Sequence, residues 1–276
     1  MIYIMLNLCE TYQRMIITAF LHSYPDYTIK FVNSKGISTN CSKIERNLIW
    51  ICDRDEDIGR LSEIYKERKC IPVIAFAHEA NRGESLMGAP WLILSPDSLT
   101  PDLVEEACAR SLDLPLVIAR TSRCLIRELT FSDLPCLLQL QEENKKDPGG
   151  CFFPGECAAP DRFLRDYLRY QYSFYGFGLF AVLINHTAPA CPAFAGIAGF
   201  SATGLADAQA EISYGFLKQY QHQGYAREAV EALLYEGKRR WQLEKIAARI
   251  RPGHQPSLRL ARQFSIDIRF TNPTLL

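Results

Sequence analysis

Along the first 120 residues, short apolar runs alternate with stretches of helical period, a pattern that predicts a parallel α/β sheet. Strands are expected at Ile2–Leu6, Thr28–Val32, Leu48–Cys52, Pro72–Phe76 and Trp91–Leu94. Tyr12, Met15, Ile16, Ala19 and Phe20 recur at helical spacing, and Tyr24-Pro25-Asp26 stops that helix. Further helices are expected over 55–68 and near 80–87, and from Thr100, a cap ahead of Pro101, to Ser111.

The pattern changes after residue 120. Two apolar segments, Leu116–Ala119 and Cys124–Leu129, flank the polar Arg120-Thr121-Ser122-Arg123, which marks the boundary between domains 1–121 and 122–276. Thr130–Pro135 is a polar break that caps a helix through Leu137, Leu138 and Leu140. Lys145–Pro160, rich in proline and glycine, reads as an irregular loop. A helix over 161–172 follows, then strands Gly178–Ile184 and Phe194–Ala202 joined by a turn at 185–192. Strand Glu211–Leu217, a long helix Tyr225–Trp241, strand Lys245–Ile250 and helix Ser257–Phe264 complete the order. The fold class is therefore α/β: a doubly wound N-terminal domain followed by an α+β domain with a mixed sheet.

The 276 residues allow two modest domains. With 48% hydrophobic and 22% charged residues the chain matches soluble globular proteins, which excludes disordered and collagen-like classes. Lys+Arg and Asp+Glu are both 31, so no global basic field exists to hold a nucleic-acid backbone, and any phosphate site must be local. No apolar run is long enough to span a bilayer, and Met1–Leu8 meets Glu10 and Arg14 too soon for a signal peptide. A cytoplasmic protein with neither nucleic-acid nor membrane partners is expected. The ten cysteines are scattered without a Cys-x-x-Cys, and the closest pair, Cys151 and Cys157, has no nearby histidine. That spacing favours free thiols over a metal centre.

The chemistry concentrates in Gln221-His222-Gln223-Gly224-Tyr225-Ala226-Arg227-Glu228, set between a strand and a long helix. A glycine at a helix start lets successive N–H groups point at one spot, and the helix dipole adds positive potential there. Gly224 and Ala226 keep the entrance open, and Arg227 offers a charge-assisted contact to a pyrophosphate.

Residues 124–266 resemble the GNAT superfamily of acyl-CoA-dependent N-acetyltransferases. Gln221, Gly224 and Ala226 match its Gln/Arg-x-x-Gly-x-Gly/Ala signature, and Glu211 with Tyr214-Gly215-Phe216 stands on the strand before it. Gly196–Phe200 is similar to the strand before that, Pro252–Ile266 to the later strand-to-helix segment with Ser257 in the serine position, and Phe174–Phe177 to an aromatic-glycine stretch of one branch. The resemblance implies acetyl-CoA as cosubstrate, with its pantetheine arm on the backbone of Tyr214, Gly215, Phe216 and Leu217. It places the pyrophosphate on Gln221, His222, Gln223, Gly224, Tyr225, Ala226 and Arg227, with His254 and Ser257 nearby. It also implies direct attack of a small-molecule or peptide amine on the thioester, with Glu211 as base and Tyr214 as pocket wall or proton donor. Where the family carries its asparagine and its acid tyrosine, this chain has His254 and Ala261. These departures leave a catalytically weak acyl-CoA sensor as the alternative. After Ile266 only a strand at 266–270 is expected, leaving the sheet edge exposed or filled by the N-terminal half or another subunit.

The N-terminal half, residues 1–121, resembles response-regulator receiver domains, most clearly over Ile71–Ser111 through Pro72-Val73-Ile74, Gly88-Ala89 and Ser95-Pro96. Asp53 falls near the phosphoacceptor position, but Asn7, Ala77 and Ser95 stand where the family needs an acidic pair, a hydroxyl and a lysine. The resemblance therefore implies a module that scaffolds, regulates or mediates a homodimer without being phosphorylated.

Overall fold

In the computed structural model, which describes residues 2–27, 29–33, 48–68, 70–144, 159–185, 193–203 and 207–270, alternating side chains of five parallel strands supply two apolar faces. These are β1 (Ile2–Asn7), β2 (Ile29–Asn33), β3 (Leu48–Cys52), β4 (Val73–Phe76) and β5 (Trp91–Ile93), in the order β2-β1-β3-β4-β5. In β4, Ile74 and Phe76 join a core with Ile16 and Phe20 of α1 (Glu10–Ser23) and Val104 and Ala107 of α3 (Pro101–Ser111). Val73 and Ala75 point to the opposite face and pack with Ile58 and Leu61 of α2 (Asp55–Ile64). Helices thus cover both faces, as a doubly wound parallel sheet requires.

The helix expected near 80–87 does not form. Only a 3₁₀ turn, Glu79–Asn81, is present. Side chains capture this segment's backbone: the Asp55 carboxylate accepts from the N–H groups of Ser85 and Leu86 at 2.8 and 2.7 Å, and Asn81 donates to the carbonyls of Asp53 and Phe76 at 2.9 Å each. Such local bonds compete directly with the helical ladder.

The compact units divide between Leu116 and Val117, because Val117–Arg120, β6, forms an antiparallel pair with β7 (Cys124–Glu128) of the second unit. The second sheet runs β12-β11-β10-β9-β8-β7-β6. Its members are β8 (Leu179–Ile184), β9 (Ala193–Ala202), β10 (Ala210–Phe216), β11 (Ile246–Ile250) and β12 (Asp267–Phe270). Pairing is antiparallel from β6 to β10 and parallel from β10 to β12, where α6 (Tyr225–Trp241) and α7 (Gln255–Gln263) make the crossovers. The irregular segment expected from Lys145 and the turn expected after Asn185 lie outside the described residues.

Alternation also organises this sheet. Leu179, Ala181 and Leu183 of β8 pack with Leu137 and Leu140 of α4 (Leu134–Asn144) and Leu164 of α5 (Pro160–Tyr175). Phe180 instead stacks with Trp241 at the end of α6, and Phe200 meets the same indole edge-on. Removing either buried phenyl ring would cost about 3–5 kcal/mol, so this aromatic cluster fixes α6, and with it the site, against the sheet. Gly176, at φ 73°, ends α5 in the left-handed conformation that glycine adopts without penalty.

Candidate active site

The sheet opens where β10 and β11 part. Their pairing comprises Ala210 with Ile246 and Glu211 with Ala247 and then stops, while β10 stays paired with β9 through Phe216. The edge of Tyr214–Phe216 that faces β11 is left without a strand partner. A cavity of about 350 Å³ lies there, lined by Tyr214, Gly215 and Phe216, the loop and first turn of α6, and His254, Pro256, Ser257 and Leu260 of the α7 segment.

At one end of the cavity, Gly224 takes φ 85° as the N-cap of α6 and no side chain caps the helix. The first intrahelical bond is the one from Glu228 N–H to the Gly224 carbonyl, 3.1 Å. The N–H groups of Tyr225, Ala226 and Arg227 therefore precede the helical ladder and are available to an anion. His222, at φ 58°, helps to curl the chain into this turn. Arg227 spans from α6 to α7, where Gln263, with its amide oxygen facing the guanidinium, accepts from it at 3.0 and 3.1 Å.

Most of the predicted cofactor residues converge on this cavity: Tyr214, Gly215, Phe216, Gln221, His222, Gly224, Tyr225, Ala226, Arg227, His254 and Ser257 all line it. Gln221 has a structural task as well, since its amide donates to the Phe216 carbonyl at 2.8 Å and closes the loop back onto β10. The side chains of the other two members lie away from the cavity. The Leu217 side chain is buried in the apolar cluster beneath α4 and α5. Gln223 turns outward, its amide donating to the Gln219 carbonyl at 2.6 Å and its own carbonyl accepting from Arg123 at 3.0 Å.

Glu211 is not part of the cavity wall. It sits where β10 and β11 separate, and its Oε2 lies 2.8 Å from Nε of Arg249 on β11. Tyr214 lines the cavity, while its hydroxyl is sealed from solvent and makes no hydrogen bond of good geometry. Burial raises the phenol's pKa and the nearby Ser257 hydroxyl offsets part of that rise. Ala261 is buried within α7.

Sequence reasoning missed Asn144, Tyr220 and Arg123. Asn144 and Tyr220 line the cavity. The signal for Asn144 was present: with Leu137 and Leu140 it completes the buried stripe of α4, a polar residue at an inward-facing position.

In the first unit, Asp53 follows β3 and is buried, with its Oδ2 3.1 Å from Nε2 of His78. The His78 ring stacks on Tyr12 at 3.8 Å between centroids. Among the described residues, no cluster of three His, Cys, Asp or Glu side chains could hold a metal ion, and no helix is long and apolar enough to cross a membrane.

A parting pair of parallel strands beside an uncapped helix start can receive a long, anionic acyl carrier. Residues 123–264 match the family described as acetyltransferase (GNAT) domain. The chain belongs to this family of acetyltransferases, which use acetyl-CoA. Solved structures similar to it include RimL, a ribosomal alpha-N-protein acetyltransferase, at 21% identity, covering 54% of this chain and 80% of that one, with a TM-score of 0.44. An acetyltransferase from Agrobacterium tumefaciens is 19% identical over 52% and 80% of the two chains, TM-score 0.42. A GNAT-family acetyltransferase from Bacillus anthracis is 23% identical over 52% and 80%, TM-score 0.41. No curated protein matches the chain.

Proposed function

We propose that the second unit binds acetyl-CoA with its pyrophosphate on the N–H groups of the α6 start and its pantetheine arm along Tyr214–Phe216, and transfers the acetyl group to a primary amine. The observation that carries this reading is the parting of β10 from β11 beside the uncapped N-terminus of α6. An extended pantetheine arm can add to the unpartnered edge as a strand would.

In this reading the amine lone pair attacks the thioester carbonyl carbon. The backbone N–H of Phe216 stabilises the oxyanion, that of Leu217 being given to the Ala195 carbonyl at 2.9 Å; the C–S bond then breaks, and the leaving thiolate takes up a proton from water. The nitrogen must lose its proton, and Glu211 receives it through an intervening water, since its carboxylate stands at the apex of the cleft and outside its wall. Arg249 holds one carboxylate oxygen in place. Tyr214 contributes to the wall, its hydroxyl being buried beside that of Ser257. Amine-dependent release of free thiol from acetyl-CoA tests this function.

The first unit, on the same proposal, is a receiver-like module that is not phosphorylated. The Asp53 carboxylate is covered and engaged by His78, and Asn7 brings no negative charge with which to hold the Mg²⁺ that phosphoryl transfer requires. Incubation with a small phosphodonor and Mg²⁺ is expected to leave the mass of the protein unchanged. A stoichiometric, Mg²⁺-dependent adduct on Asp53 would overturn this.

A further inference from the structure

One side chain outside the cavity wall touches Gln223, Tyr225 and Glu228 around the start of α6. Arg123, from the β6–β7 connection, donates through Nε to Oε2 of Glu228 at 2.7 Å, and its Nη2 lies 2.7 Å from the same oxygen. Its Nη1 donates to the Gln223 carbonyl at 3.0 Å, its guanidinium lies 4.5 Å from the centroid of the Tyr225 ring, and Nη2 stands 3.3 Å from where a Cβ on Gly224 would be. The other oxygen of Glu228 accepts from Thr121 Oγ1, Ser122 Oγ and the Arg123 N–H at 2.5, 3.2 and 2.9 Å. The whole β6–β7 connection is thus clamped on one carboxylate in the first turns of α6.

That carboxylate poses an electrostatic problem for the site. A negative charge near a helix N-terminus favours the helix, but it competes with an anionic ligand for the same positive end of the dipole. Burial alone would disfavour the charged form of Glu228; the hydrogen bonds from Thr121 and Arg123 outweigh it and hold the carboxyl below its ordinary value. Glu228 is therefore ionised at neutral pH, and Arg123 is its counter-charge.

We propose that Arg123 is a positioning residue for coenzyme A: it cancels the charge of Glu228 and holds the Gln223–Tyr225 turn, so that the N–H groups of α6 face the pyrophosphate in a field free of a competing anion. This rests on the coenzyme site proposed above. Arg123 itself touches no substrate.

Calorimetric titration with coenzyme A of the wild type, Arg123→Ala, Glu228→Gln and the double variant tests it. Arg123→Ala should weaken binding by about tenfold or more, because it leaves a carboxylate uncompensated beside the ligand. Glu228→Gln should bind at least as tightly as wild type. The double variant should recover to within about threefold of wild type, although its melting temperature stays no higher than that of Arg123→Ala. The gap between wild type and Arg123→Ala should narrow as salt rises. A purely structural role predicts no recovery in the double variant, and that result, or wild-type affinity in Arg123→Ala, would overturn the proposal. If Arg123→Ala fails to fold, Glu228→Gln decides alone, and weaker binding by that variant is the contrary outcome. A wild type that does not bind coenzyme A removes the site reading and this inference with it.

Discussion

Replacing Ala226 by aspartate is expected to weaken coenzyme A binding by about 10²-fold or more, equivalent to roughly 3 kcal/mol. Ala226 lines the cavity in the first turn of α6, so the new carboxylate would stand beside the pyrophosphate and compete for the same N–H groups. The helix itself should not suffer, because an acidic residue in a first turn contributes about 0.3–1 kcal/mol of favourable dipole interaction. Gly224→Asp is a poorer test. Gly224 sits at φ 85°, which strains any other residue, and its missing Cβ faces the Arg123 guanidinium at 3.3 Å, so an aspartate would also disturb the clamp. Calorimetry separates binding from folding, and unchanged affinity in Ala226→Asp would remove the pyrophosphate from this helix.

The second large effect is expected at Glu211. Glutamine keeps its shape but loses its basicity, so turnover at neutral pH should fall by roughly 10²-fold, the usual worth of general-base catalysis. Cofactor affinity should barely move, and the deficit should shrink at high pH, where free amine is abundant. Losing the ion pair with the half-exposed Arg249 should cost about 1 kcal/mol or less, too little to mimic a catalytic defect by unfolding. Normal turnover in the variant would assign Glu211 to holding β10 and β11 together and leave the proton to solvent water.

Local signals were fully legible where one element carries them. The helix Tyr225–Trp241 was read to the residue, because Gly224 ahead of it and the apolar stripe of Ala229, Val230, Leu233 and Gly237 are properties of a single segment. What depends on register was not. The cleft exists because two strands pair for two residues and then part, and no spacing within either strand announces that. The Glu211–Arg249 pair crosses between strands 38 positions apart in sequence, and Arg123 meets Glu228 across 105, so neither contact can be inferred from neighbours in the chain. At 80–87 the error ran the other way: the segment looked helical, but Asp55, some 30 residues earlier, supplies a better partner for its N–H groups.

On the function proposed above, this chain moves an acetyl group from acetyl-CoA to an amine. The most direct measurement of that transfer is free-thiol release from acetyl-CoA across a panel of primary amines and peptide N-termini, with the products read by mass spectrometry. At least one amine is expected to raise thiol release well above the hydrolytic background and to gain one acetyl group per thiol released, and Ala226→Asp should lose this at the same cofactor concentration. Tight binding of acetyl-CoA with no amine-dependent release from any member of a broad panel would contradict it.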